Sequence, residues 1–150
     1  MRQLYDSDFY LWTQSAAEQL RSGSLKPDDR EHAAEELADM GKRDRRELQS
    51  RMIVLVKHLI KWAAQPELRN TSTWLATINE QRTQIVGILE QSPSLRALLD
   101  AELLSVYAKA VKQAAIETRS PGLELTGSPV FADRLLCEDF LPETINDMVR

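Results

Sequence analysis

His58 and Trp62 stand four residues apart in the densest apolar run of the chain, Met52-Ile53-Val54-Leu55-Val56-Lys57-His58-Leu59-Ile60-Lys61-Trp62. On a helix that spacing puts both on one face. An imidazole there is a candidate metal ligand, general base or recognition contact. The plainer expectation, adopted here, is a histidine at the edge of a core, packed on the indole with its ring nitrogens satisfied by neighbouring polar groups. Glu35 and Glu36 invite a paired-carboxylate reading. Adjacent helix residues diverge by roughly 100°, so the two cannot flank one substrate bond. One of them is expected to turn inward and meet an arginine such as Arg82, which falls mid-helix between Ile78 and Ile85. A buried guanidinium needs a carboxylate or carbonyl partner. His58, Trp62, Glu35, Glu36 and Arg82 therefore form either one candidate site or a structural polar cluster.

Other chemistry finds less to stand on. Bundle metal sites use Glu-x-x-His pairs, and neither that pattern nor His-x-x-x-His occurs. His32 and His58 would lie ~39 Å apart on a continuous helix. His58 with a carboxylate from another helix, Glu90 or Glu102, is the arrangement left for a metal-assisted hydrolase. No cofactor is expected. The basic cluster Lys42, Arg43, Arg45, Arg46 and Arg51 is the candidate nucleic-acid surface, but Asp39, Asp44 and Glu47 interleave with it. Counterion-release binding needs uncompensated cations, so an ion-paired solvated face is expected instead. There is no Gly-rich phosphate loop, and Ser24, Ser72 and Ser128 sit in cap or turn contexts rather than a nucleophile elbow. Cys137, between leucines and Glu138, reads as a small core residue.

Whole-chain properties agree. A net charge of −4 over 150 residues argues against general affinity for nucleic acid or anionic membrane. One cysteine cannot close an internal disulfide, which fits a cytoplasmic setting. The N-terminus carries Asp6 and Asp8 and does not read as a secretory signal. The Met52–Ala64 run is broken by Lys57, His58 and Lys61 and is short of the ~20 residues that span a bilayer.

Apolar spacing and caps predict an all-α fold over residues 1–150 as a single domain: an antiparallel four-helix bundle with a very long second helix and a short C-terminal helix. The helices are expected at 7–22, 27–64, 73–91 and 93–118. A C-terminal loop and short helix follow over 119–142, then a loosely held tail over 143–150. Phe9, Trp12, Ala16 and Leu20 make the buried stripe of the first helix. Leu37, Met40, Leu48, Leu55, Leu59 and Trp62 make that of the second. A straight second helix would extend ~57 Å, beyond a compact domain of roughly 40 Å diameter, and Gly41 marks the place for a kink.

Several motifs in order resemble one family: Glu35-Glu36-Leu37 through Met40-Gly41, Arg45-Arg46-Glu47-Leu48, His58 to Trp62 with Gln65-Pro66, and Ser72-Thr73-Trp74 with Ile78 and Gln81-Arg82. Ser92-Pro93-Ser94-Leu95-Arg96, Glu117-Thr118 and Asp139-Phe140-Leu141-Pro142 complete the set. The chain from Tyr5 to Pro142 is similar to the twenty-ninth family in the catalogue of domains of unknown function, abundant in cyanobacteria and present in proteobacteria. The resemblance implies an all-helical intracellular bacterial protein and supplies no catalytic residues. The expected function is a non-enzymatic cytosolic interaction or regulatory module, its partner a second copy or another protein. The alternatives are the His58 metal hydrolase and nucleic-acid binding through Lys42–Arg51.

Overall fold

A computed structural model describes residues 3–150. The protein is all-α. Helix α1 spans Leu4–Ser7, α2 Phe9–Ser22, α3 Pro27–Ala64, α4 Trp74–Gln91, α5 Leu95–Glu117 and α6 Ala132–Leu136, with single 3-10 turns at Pro66–Leu68 and Ile145–Met148. The chain divides into two compact units, the first ending at Asp44 and the second spanning Arg45–Arg150.

In the first unit, Asp8 separates α1 from α2 and caps α2 by accepting the Leu11 N–H at 3.0 Å. Gly23 ends α2 in the left-handed region at φ 72°, where a glycine carries no Cβ penalty. Pro27 opens α3, and Asp28 and Asp29 face the positive end of its dipole. The small core is aromatic. The Trp12 indole N–H donates to Asp29 at 3.1 Å. The Tyr5 ring stacks on His32 with centroids 4.0 Å apart and meets Trp12 edge-on at 4.8 Å. These rings reach Asp29, His32 and Glu36 and no further along α3. Leu37 and Met40, expected in the core, are consequently 67% and 56% exposed, and Leu20 and Phe9 also face solvent. The helix passes through Gly41 without a break. One glycine costs a helix interior only ~1 kcal/mol, and good helix formers flank it.

In the second unit, Leu48, Met52, Leu55, Val56, Leu59 and Ile60 of α3 recur at spacings of three and four and form the core with Ile78, Ile85 and Leu89 of α4 and Leu99, Leu103, Val106 and Tyr107 of α5. The C-terminal segment supplies Val130, Leu135, Leu136, Phe140 and Met148 to the same cluster. That segment has little regular structure, so its carbonyls must find other donors. Arg82, only 3% exposed, spreads three N–H groups over it: Nε to the Leu135 carbonyl at 2.8 Å, Nη2 to Phe140 at 2.6 Å and, more weakly, Nη1 to Glu138 at 3.4 Å. Arg69 donates to the carbonyls of Trp62, Pro142 and Glu143. The Tyr107 hydroxyl donates to the Met148 carbonyl at 2.7 Å. Thr144 and Asp147 form a capping box on the last turn, and Pro129 pairs with Val149 in an isolated antiparallel bridge. Gly127 is required beside that bridge: its φ is +127°, and a Cβ would sit 3.3 Å from Cβ of Val149. The tail is thus pinned rather than loose, and Met148 is fully buried.

Replacing Arg82 by Leu leaves these carbonyls buried without donors. Urea unfolding is expected to show a loss of about 1–3 kcal/mol, the cost of buried acceptors left without donors, with Arg82→Lys intermediate because one ammonium cannot cover three diverging acceptors. A change below ~0.5 kcal/mol, the scale of an ordinary surface substitution, would contradict the assignment. Gly41→Ala meets no atom within 4 Å and should raise stability by ~0.5–1 kcal/mol in the same assay.

Candidate functional site

The last turns of α3 hold a polar cluster. His58 is half-buried and its Nδ1 lies 2.7 Å from the Val54 carbonyl. A carbonyl can only accept, so Nδ1 carries the proton and Nε2 is left as the free acceptor. Burial, with the charges of Lys61 and Lys57, holds the imidazole below its ordinary pKa of 6.5. Lys57 and Lys61 share the Glu117 carboxylate, one on each oxygen at 3.3 and 2.7 Å. Burial would raise the pKa of Glu117, but the hydrogen bonds from the two lysines prevail and hold it below the ordinary value. Trp62 packs against the core, with the Arg69 guanidinium 5.2 Å from its ring centre. Charge and shape here tie α3 to α5 through Glu117.

The other residues singled out in the sequence are bonded elsewhere. Glu36 accepts from the Tyr5 hydroxyl at 2.5 Å, which pushes that hydroxyl up to about 12, and it lies 4.0 Å from Arg43. Glu35 is exposed. Arg82, for which a carboxylate or carbonyl partner was expected, takes main-chain carbonyls. In the basic cluster Arg45 pairs with Glu102 and Arg51 with Glu47, while Lys42 and Arg46 make no ion pair among the described residues. Cys137 is exposed, not a core residue. Among the described residues no three His, Cys, Asp or Glu side chains are grouped to hold a metal ion, and no helix is long and apolar enough to cross a membrane.

The feature missed in the sequence lies on α5. Its buried side carries Leu99, Leu103, Val106, Tyr107, Ala110 and Ala114. About a third of a turn away, Ala101, Leu104, Ala108, Val111 and Ala115 repeat at spacings of three and four. A helix apolar on more than one side is normally buried, yet Leu104 is 71% exposed, Phe131 beside it 64%, and Ile116 near the other end of the helix 69%. Three recesses follow this outward face. One of about 510 Å³ is lined by Asp100, Leu104, Pro129 and Phe131. A second of about 360 Å³ is lined by Leu104, Ala108, Val111, Leu123 and Leu125. A third of about 580 Å³ is lined by Val111, Ala115, Ile116, Arg119 and Leu123. Leu104 and Pro129 belong to the first two and Val111 and Leu123 to the last two, so the recesses form one groove.

The fold is all-helical, and an apolar groove runs along the outward face of α5. The chain belongs to the family described as Domain of unknown function DUF29, whose model matches residues 4–141. No curated protein and no solved structure matches it.

The lowered pKa of His58 has a consequence for stability. Protons bind the unfolded chain more readily at this position, so its contribution is complete above about 6.5 and is lost as pH falls through the folded pKa. His58→Gln removes this component. Urea midpoints measured from pH 7.5 downward should fall more steeply in the wild type than in the variant, and parallel curves would refute the assignment.

Proposed function

We propose that this protein is a non-enzymatic, cytoplasmic interaction or regulatory module that receives a protein partner along the outward face of α5. One observation carries the reading: α5 is apolar on two sides and only one of them is covered. Contiguous exposed apolar surface of this kind marks interaction sites. The groove also combines open recesses with branched and aromatic side chains, Leu104, Ile116 and Phe131, that can act as anchors. An exposed thiol at Cys137 suits a reducing compartment.

The alternatives draw less support. For a metal hydrolase, no group of three His, Cys, Asp or Glu side chains that could hold a metal ion forms around His58 among the described residues. For nucleic-acid binding, Arg43, Arg45 and Arg51 are each compensated by a carboxylate.

A photoreactive amino acid at position 104, irradiated in cells, tests the reading. A discrete protein adduct at 104, absent when the same group replaces exposed Gln84 of α4, is the expected result. No adduct at 104, or equal labelling at both positions, would remove it.

A further inference from the structure

The middle of α3 belongs to neither core. The first unit holds the helix through Tyr5, whose ring stacks on His32 and whose hydroxyl donates to Glu36. The second unit takes hold at Leu48, the first buried residue of the helix. Every residue from 37 to 47 is exposed, about three turns that include Leu37 and Met40. Among the described residues, the side-chain bonds of Arg43 go to Asp39 and Glu36 of the same helix, and that of Glu47 goes to Arg51. The one tie from the stretch to another helix is Arg45 to Glu102 of α5, a solvent-exposed pair of the kind that contributes little. A helix with water on all sides rests on its own propensity, and a short one is marginal. Here that propensity is weakened twice. Gly41 is the poorest helix former after proline. Lys42 and Arg46, four residues apart, put like charges on one face.

We propose that α3 opens locally over residues 37–47 while both cores stay folded, so that the connection between the two units alternates between a stiff helix and a flexible tether. The structure shows the closed form. The division between the two compact units, at Asp44 and Arg45, falls inside the stretch. Opening breaks main-chain bonds such as those that the N–H groups of 41–47 donate four residues back. It exposes no buried side chain. It therefore costs far less than opening the next turns, where Met52, Leu55, Val56, Leu59 and Ile60 are fully buried. Gly41 sets how often it happens. No atom lies within 4 Å of where its Cβ would sit, so packing does not require a glycine there. What glycine supplies at this position is easy entry into non-helical backbone. The same stretch carries Lys42, Arg43, Arg45 and Arg46, so each opening presents bonds that trypsin can cut.

Amide hydrogen exchange of the full chain, resolved by residue, tests this. The N–H groups of 41–47 should exchange roughly a hundredfold faster than those of 55–60 and roughly tenfold faster than those of 31–36. Equal protection over 41–47 and 55–60 overturns the inference. So does one common rate from 31 to 47, because the whole first unit would then be unfolding together. Limited trypsin digestion gives a second reading. Lys109 and Lys112 of α5 are exposed as well, but their helix packs on the core. Cuts after Lys42, Arg43, Arg45 or Arg46 should precede cuts after Lys109 or Lys112, and the reverse order overturns the inference. Cutting follows the population of the open form. Gly41→Ala should therefore slow the early cuts about two- to fivefold. Gly41→Pro should speed them roughly tenfold or more, with exchange at 55–60 within about twofold of the wild type because that core does not depend on the stretch. Early cuts that respond to neither variant, or lost protection at 55–60 in G41P, overturn the inference.

Discussion

A guanidinium taken out of water needs acceptors to come with it. In this protein the constraint falls on Arg82, and the acceptors are main-chain carbonyls of Leu135, Glu138 and Phe140. The arrangement solves two problems at once. The arginine is satisfied without a buried carboxylate. The last carbonyls of the short α6, and those of the turn after it, are capped without a regular element to continue them. Arg69 and Tyr107 repeat the device at the carbonyls of Pro142, Glu143 and Met148. A nearly structureless segment thereby becomes a wall of the core, contributing Leu135, Phe140 and Met148 to it.

That wall makes the groove. Leu123, Leu125, Pro129 and Phe131 form one bank of it and the outward stripe of α5 forms the other. The chain of dependence runs from the arginine to the pinned segment, from the segment to the covered side of α5, and from there to the side left open. Functional interest accordingly moves from the histidine that first attracts attention to a largely apolar surface along α5. Lys57 and Lys61 tie α3 to α5 through Glu117, which holds α5 in place beneath the groove.

The helices were legible because their burial follows local periodicity. Pro27, Gly23 and the Ser92-Pro93 turn are local signals too, and the elements begin or end near them. The tail was not legible. Beyond its local Thr144–Asp147 capping box, its order comes from distant groups, such as Tyr107 on Met148 and Arg69 on Glu143, and nothing in its own composition records them. Leu37 and Met40 had core-like spacing but lacked a covering element, and periodicity reports a face without reporting what meets it. The groove is written in the sequence as a second apolar stripe, Ala101, Leu104, Ala108, Val111 and Ala115, which periodicity alone does not separate from the buried side of the same helix. Arg82 showed its burial through its apolar neighbours Ile78 and Ile85. The identity of its acceptors depends on a turn that exists only in the folded chain.

The dependence on Arg82 can be observed directly by nuclear magnetic resonance in the unmodified protein. The account predicts a single resolved Nε–H signal for Arg82, slow to exchange with water, with a scalar coupling across the hydrogen bond to the carbonyl carbon of Leu135. A rapidly exchanging Arg82 signal without that coupling, in a protein whose α5 core amides remain protected, would contradict it.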